Sequence, residues 1–165
     1  MQLIFVMESN KESQSDYYYI KDVLKKYYNI AGYKLTDIYM NGKGNFSKKK
    51  KEIDKSTAKY KGKSLVFLCY DVDNESKETF YLNERIEEYA GNNGYKTIWF
   101  NEDIEQVFLN KCISKNEKKE EAKKFALNNF IDKIDCNKLM YCKIYKRNTS
   151  NIMNVLDKYL KRKNN

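Results

Sequence analysis

Histidine and proline are both absent from this chain of 165 residues. Without histidine, Ser-His and Cys-His nucleophile pairs, histidine-ligated zinc and histidine acid–base chemistry are all excluded. Any catalysis must therefore use carboxylates, lysine, tyrosine or a metal ion. Without proline, the gaps between elements must be marked by glycine, asparagine, aspartate and serine.

Long hydrophobic runs and cysteine motifs are missing as well. No apolar run approaches the ~18 residues of a membrane span, and the apolar run over residues 3–7 lacks the length and basic lead of a signal peptide. The four cysteines show no CxxC spacing, which favours reduced thiols that fill the core. These absences predict a cytoplasmic protein without a membrane segment.

The net charge of +9 is spread unevenly along the chain. Residues 43–63 hold nine lysines against two acids, and residues 138–163 hold eight basic residues against one acid. Residues 71–88, by contrast, hold seven acids against two bases. A basic protein with one acidic patch fits a polyanionic partner held around a metal centre. Solvated, lysine-rich helix faces explain the same composition, and composition alone favours that simpler interpretation.

Short apolar runs alternate with stretches of helical spacing along the whole chain. Strands are predicted over residues 2–7, 33–40, 65–70, 95–100 and 139–145. Helices are predicted over residues 17–30, 47–60, 77–90, 101–112 and 115–134, and a last helix is capped by Thr149 or Ser150. The alternation predicts a single α/β domain over residues 1–165, with a small Rossmann-like, mostly parallel sheet of four to five strands flanked by helices.

Carboxylates follow two of these strands at the point where each strand ends. Asp71 and Asp73 lie on the same side of the extended chain after the strand over residues 65–70, and Glu8 follows the first strand. If the two strands are neighbours, all three carboxylates meet at the edge where parallel sheets bind ligands. Each like-charge pair near 5 Å costs on the order of 3 kcal/mol, so the cluster needs a cation or raised pKa values. Oxygen ligands alone favour Mg²⁺ or Mn²⁺.

This pattern resembles the Toprim domain of topoisomerases, bacterial primases, OLD-family nucleases and small RNA-maturation nucleases. It is most similar to the RloB-like and OLD-type Toprim nucleases, the former being linked to restriction and phage-defence loci. Ser9 stands where the family has a glycine. The resemblance covers a Toprim-like core over residues 3–110 and leaves residues 113–165 as a helical C-terminal extension. The matching segments are IFVMES (4–9), DYYYI (16–20), FLCYDVDNE (67–75) and WFNEDIEQVFL (99–109).

The resemblance implies a metal-dependent nuclease that hydrolyses phosphodiester bonds in RNA or DNA, with tRNA cleavage in phage defence as one setting. Asp71 and Asp73 would hold Mg²⁺ or Mn²⁺, and Glu8 would share the ion or act as general base or acid. Glu105 would support a second ion, with Glu102 and Asp103 as weaker candidates. The basic residues that would contact the nucleic-acid backbone or neutralise its phosphate are Lys43, Lys48, Lys49, Lys50 and Lys51.

Each of these roles has a simpler structural alternative. Asp73 also suits a helix N-cap, and the sequence favours neither the cap nor the metal ligand. Glu8 could pair with Lys11 on the surface, and Glu105 is more simply an exposed helix residue. The lysines of residues 48–51 are expected to be solvated whether or not they bind anything.

The competing function is a non-catalytic Rossmann-like module that binds nucleic acid or a partner protein, such as a defence sensor or a phage-encoded inhibitor. A flavodoxin-like or nucleotide-binding domain ranks below both, because no glycine-rich phosphate loop follows the first strand. The only glycine-rich loop with a lysine, residues 41–45, lacks P-loop spacing.

Overall fold

The structure, a computed structural model, describes residues 1–73, 76–144 and 146–164. Within these ranges the chain forms one sheet with the strand order β2-β1-β3-β4-β5. The strands are β1 (Gln2–Met7), β2 (Lys34–Tyr39), β3 (Ser64–Asp71), β4 (Lys96–Asn101) and β5 (Thr149–Ser150). The α-helices are α1 (Ser15–Tyr27), α2 (Lys50–Ala58), α3 (Lys77–Asn92), α4 (Ile104–Leu109), α5 (Lys118–Leu127) and α6 (Ile152–Leu156).

The first four strands run parallel, and β5 runs antiparallel to β4. The predicted α/β fold with a mostly parallel sheet between helices is therefore confirmed. None of the helices in the described ranges is both long and apolar enough to cross a membrane.

The sheet is covered on both faces, and β1 shows why. All six of its residues are buried, because alternate side chains enter two different cores. Leu3, Phe5 and Met7 pack against α1, α4, α5 and α6. Ile4 and Val6 pack against α2 and α3 on the opposite face. The continuous apolar runs of the sequence are thus those of strands buried on both sides.

The fifth strand lies elsewhere than predicted. The strand prediction over residues 139–145 is wrong for residues 139–144. Leu139 ends a 3₁₀ helix over Cys136–Leu139, and residues 140–144 form no strand. Tyr145 lies outside the described residues. The strand is instead Thr149–Ser150, the pair predicted to cap the last helix. Ser150 Oγ donates to the Trp99 carbonyl at 2.6 Å, and it also accepts from the Ile152 N–H at 3.1 Å. Ser150 thus bonds both to β4 and to the first N–H of α6, but the N-cap position of α6 is Asn151, so the predicted cap at Thr149 or Ser150 is wrong.

Several helices are shorter than predicted because polar residues end or begin them. Asp103 caps α4 by accepting from the Gln106 N–H at 2.7 Å, so residues 101–103 stay outside that helix. Asn129 adopts φ +50° after α5, and a separate 3₁₀ turn follows over Phe130–Lys133. Ser76, rather than Asp73, caps α3 by accepting from the Thr79 N–H at 3.2 Å.

The chain after residue 110 is part of the same packed body. Phe125 of α5 packs on Tyr19 of α1, with ring centroids 4.9 Å apart. The Tyr28 hydroxyl donates to Asp157 at 2.9 Å, and Asp157 also pairs with Arg162 at 2.7 Å. The C-terminal segment is thereby fastened to the end of α1.

Candidate functional site

Adjacent strands bring Glu8 and Asp71 together at one edge of the sheet. β1 and β3 are neighbours in parallel register, with Met7 opposite Cys69. Glu8 directly follows β1, and the Asp71 N–H donates to Glu8 Oε2 at 3.3 Å. The two strands are neighbours, as required for Glu8 and Asp71 to reach the same edge of the sheet.

The Glu8 and Asp71 carboxyl groups both hold protons more tightly than usual. Burial, then the charge of Asp73, raises the pKa of Glu8 to about 7, while Lys43 and the Asp71 N–H work in the opposite direction. Burial, then the charge of Glu8, raises the pKa of Asp71 well above its ordinary value. The surroundings of both groups therefore disfavour the charged forms when no cation is bound.

One oxygen of each of these two carboxylates is held by the backbone. Asp71 Oδ1 accepts from the Ile104 N–H at 3.0 Å, which ties it to the start of α4. Glu8 uses Oε2 for the Asp71 N–H. Within the described ranges, Glu8 Oε1 and Asp71 Oδ2 accept no hydrogen bond, so each side chain keeps one oxygen for a ligand.

Asp73 has a different environment, because its charge is matched by Lys43. The Lys43 ammonium lies 2.8 Å from Asp73 Oδ2, 2.7 Å from the Asp71 carbonyl and 3.3 Å from the Val72 carbonyl. Only 8% of the Lys43 side chain is exposed. In this structure the ammonium therefore faces protein oxygens.

The glycine-rich loop positions Lys43 for these contacts. The Gly42 N–H donates to the Glu8 carbonyl at 2.9 Å, which fixes the loop after β2 against the end of β1. Gly42 has φ +98°, a conformation that favours glycine. Lys43 then begins a 3₁₀ helix over Lys43–Lys49 and points under the Asp71–Asp73 turn.

A cavity of about 400 Å³ opens beside Glu8 and Asp71. Asp16 of α1 borders it and accepts from the Ser9 N–H at 2.9 Å, so it also holds the loop after β1. Lys115 and Lys118 form the basic side of the cavity. The full lining is Glu8, Ser9, Asn10, Ser13, Ser15, Asp16, Asn41, Gly42, Asp71, Lys115 and Lys118.

Lys118 also forms an ion pair with Glu105, at 2.7 Å. The expectation that Glu105 is an exposed helix residue is wrong, since its side chain is 0% exposed. Burial raises the pKa of Glu105 to about 7, with Lys118 opposing the rise. Glu105 Oε1 is buried and has no hydrogen-bond partner within the described ranges.

The remaining candidate residues lie away from the cavity. Glu102 pairs with Arg147 at 2.7 Å, and Asp103 is the cap of α4. Lys49 and Lys50 pair with Glu52 and Asp54 of α2 at 3.4 and 3.0 Å. Lys48 and Lys51 are exposed, and none of these four lysines lines the cavity.

Across the described residues, no group of three or more His, Cys, Asp or Glu side chains is placed to hold a metal ion. At this edge of the sheet, Asp73 is paired with Lys43. What is left is a pair of oxygen ligands, Glu8 and Asp71, beside a cavity with lysines on one side.

Sequence reasoning did not select Asp16, Lys115 or Lys118 for the site. Asp16 was recognisable in part, because the residue that opens a helix after β1 lies near the carboxyl end of that strand. The two lysines reach the cavity only through the packing of α5 on α1, which leaves no local signal in the sequence.

Comparison of the chain with protein-family models, with curated proteins and with solved structures gives no match. The Toprim resemblance is therefore carried by the matching sequence segments alone.

Proposed function

We propose that this protein is a metal-dependent nuclease of the Toprim type that hydrolyses phosphodiester bonds in nucleic acid. The observation that carries the proposal is the pairing of Glu8 with Asp71 at the carboxyl ends of adjacent parallel strands, beside a cavity bordered by Lys115 and Lys118. Ligands of open α/β sheets bind at this edge. A carboxylate pair with facing lysines suits a cation together with a phosphate.

The residues present fit one hard divalent cation. Glu8 and Asp71 each keep an oxygen that accepts no hydrogen bond within the described ranges. Burial and then a neighbouring acid raise both pKa values, so a bound cation would stabilise the charged forms. Mg²⁺ is usually bound by one or two carboxylates, with water and substrate phosphate at its other positions. Asp71 would hold the ion, and Glu8 would lie next to it. Bound there, Mg²⁺ or Mn²⁺ would act as a Lewis acid toward the phosphate.

The protein's own residues would place the substrate and move a proton. In phosphodiester hydrolysis the hydroxyl of water joins phosphorus, a P–O ester bond breaks, and the water's proton ends on the leaving oxygen. Glu8 would accept that proton and return it. Lys115 and Lys118 would attract the phosphate from the opposite side of the cavity. Lys48 and Lys51 would add salt-sensitive contacts farther along the strand.

Glu8 could be a metal ligand or the group that moves the proton, and a measurement of Mn²⁺ binding distinguishes these two roles. If Glu8 is a ligand, Glu8→Gln weakens Mn²⁺ binding and cleavage together. If it moves the proton, Glu8→Gln keeps Mn²⁺ binding and loses cleavage.

The proposal is tested by incubating the protein with plasmid DNA and with total tRNA, with and without Mg²⁺. Cleavage that requires Mg²⁺ and falls at least about a hundredfold in Glu8→Gln supports it. Asp54→Asn is the matched control, because Asp54 is an exposed acid of α2 outside the cavity. Equal cleavage by the wild type and Glu8→Gln points to a contaminant or another site. RNA as substrate and a place in phage defence are further parts of the proposal, and comparing the two nucleic acids tests the first.

The second candidate is a non-catalytic module that binds nucleic acid or a partner protein. The observation that favours it is the Lys43–Asp73 ion pair, because this pair neutralises one of the three carboxylates without a metal. Such a module would bind nucleic acid equally well in EDTA and in Mg²⁺, and it would leave the nucleic acid intact.

A further inference from the structure

We propose that the Lys43 ammonium stands in the place of a second cation, so that the site takes a single divalent ion at Asp71 and Glu8 while Asp73 serves as the partner of Lys43. This inference rests on the proposed metal-dependent function and specifies how many ions it uses. It departs from the expectation that Asp71 and Asp73 hold the ion together.

The first support is the set of oxygens around Lys43. Its ammonium contacts one carboxylate oxygen, Asp73 Oδ2, and two backbone carbonyls, those of Asp71 and Val72, at 2.7 to 3.3 Å. Carboxylate and carbonyl oxygens are also the ligands that hard cations prefer. A metal ion at this place would have to displace the ammonium.

The second support is that the Lys43 side chain is buried and its loop is held in place. Its side chain is almost completely buried, and its loop is fixed by the hydrogen bond from the Gly42 N–H to Glu8. Lysine is almost never fully buried unless it is paired. Asp73 is held as well, since its N–H donates to the Glu102 carbonyl at 3.1 Å. Backbone hydrogen bonds therefore hold the loop before Lys43 and the Asp73 main chain in place.

The third support is the repulsion between cations. An ion bound by Asp73 would lie next to the Lys43 ammonium, and two like charges at that distance repel strongly at the effective dielectric of a protein. An ion at Asp71 and Glu8 would bind carboxylate oxygens that Lys43 does not contact, so it would not have to displace the ammonium.

The test is a Mn²⁺ titration followed by electron paramagnetic resonance, which counts bound ions without any reaction. We expect one Mn²⁺ per chain for the wild type and for Asp73→Asn, with the affinity of Asp73→Asn reduced by no more than about tenfold. Asp71→Asn should bind none. Lys43→Met keeps the apolar stem and removes the charge, and it should gain a second Mn²⁺ that is lost again in Lys43→Met/Asp73→Asn.

Lys59→Met is the matched control, because Lys59 is exposed at the end of α2 and does not line the cavity. It should bind Mn²⁺ as the wild type does. Circular dichroism checks that each variant is folded. If Lys43→Met does not fold, the result for Asp73→Asn decides.

Three results overturn the inference and leave the proposed function standing: two Mn²⁺ ions in the wild type, loss of binding in Asp73→Asn, or a single ion in folded Lys43→Met. Absence of Mn²⁺ from the wild type removes the proposed function itself, and this inference with it.

Discussion

The Asp71 N–H donates to Glu8 Oε2 at 3.3 Å, and this bond joins the ends of two parallel strands beside the cavity that Glu8 and Asp71 both line. The backbone thus stabilises a charge on Glu8 that burial and Asp73 disfavour. The pKa of Glu8, raised to about 7, is the net result of these opposing effects.

Replacing Glu8 should stabilise the metal-free protein at alkaline pH. Because the pKa of Glu8 is raised from 4.5 to about 7 on folding, the stability linked to this group is complete below the lower value and is lost as the pH rises through the upper one. We expect Glu8→Gln to gain about 3 kcal/mol over the wild type at about pH 8, and almost nothing at about pH 4. Urea unfolding in EDTA measures the difference. Glu12→Gln, an exposed control, should show no gain, and an equal gain at both pH values would contradict the prediction.

Asp71→Asn should separate metal binding from folding. Its amide oxygen can still accept from the Ile104 N–H, while the repulsion with Glu8 disappears. The melting temperature in EDTA should therefore rise. In the wild type, Mg²⁺ at about a hundred times its dissociation constant should add about 2.7 kcal/mol, and this gain should be absent from Asp71→Asn. Differential scanning calorimetry measures both effects. Unchanged metal-free stability, together with a wild type that ignores Mg²⁺, would favour the non-catalytic module.

Removing Lys118 should lower the free energy of unfolding, because it leaves the buried Glu105 carboxylate without its partner. Glu105 is fully buried and Lys118 is its partner, so Lys118→Met should lose about 3 kcal/mol at about pH 8. The loss should shrink toward about pH 4, because a carboxyl group whose pKa is raised is then neutral in both states. Lys118→Met/Glu105→Gln should regain most of the stability. Chemical denaturation at the two pH values checks this, and a double variant no better than Lys118→Met would refute it.

The exposed lysines of residues 48–51 offer an internal comparison for nucleic-acid binding. Lys48 and Lys51 are exposed and form no ion pair within the described ranges, whereas Lys49 and Lys50 pair with neighbouring acids. Replacing Lys48 and Lys51 by alanine should lower the slope of log K against log salt by about 0.7 to 0.9 for each lost phosphate contact. Replacing Lys49 and Lys50 should lower it less. Fluorescence anisotropy with a labelled oligonucleotide in EDTA gives both slopes, and equal slopes in both variants would argue against a role for these lysines.

The sheet and the Glu8–Asp71 pair could be predicted because each depends on a local pattern. Strands buried on both faces leave continuous apolar runs, and a parallel sheet brings the residues just after those runs to one edge. The fifth strand could not be predicted in the same way. Thr149–Ser150 is too short for any periodicity, and its place is set by bonds to β4 such as that from Ser150 Oγ to the Trp99 carbonyl.

The surroundings of the carboxylates depend on contacts between distant parts of the chain. A glutamate in the first turn of a short helix suggests exposure, and the partner of Glu105, Lys118, comes from α5, which is distant in sequence from any local pattern around Glu105. The sequence suited Asp73 equally to a helix N-cap and to a metal ligand. Its pairing with Lys43 depends on the loop after β2, which folds against the end of β1. Sequence patterns thus located two acids of the site, whereas tertiary packing determined which charges oppose them.

The wall of the cavity formed by Lys115 and Lys118 comes from the same C-terminal region that borders the sheet and locks onto α1. A fragment that ends near residue 110 lacks Lys115 and Lys118, so it cannot form this cavity. During gradual denaturation, the proposed binding of an ion together with a phosphate should be lost in one cooperative step with the fold.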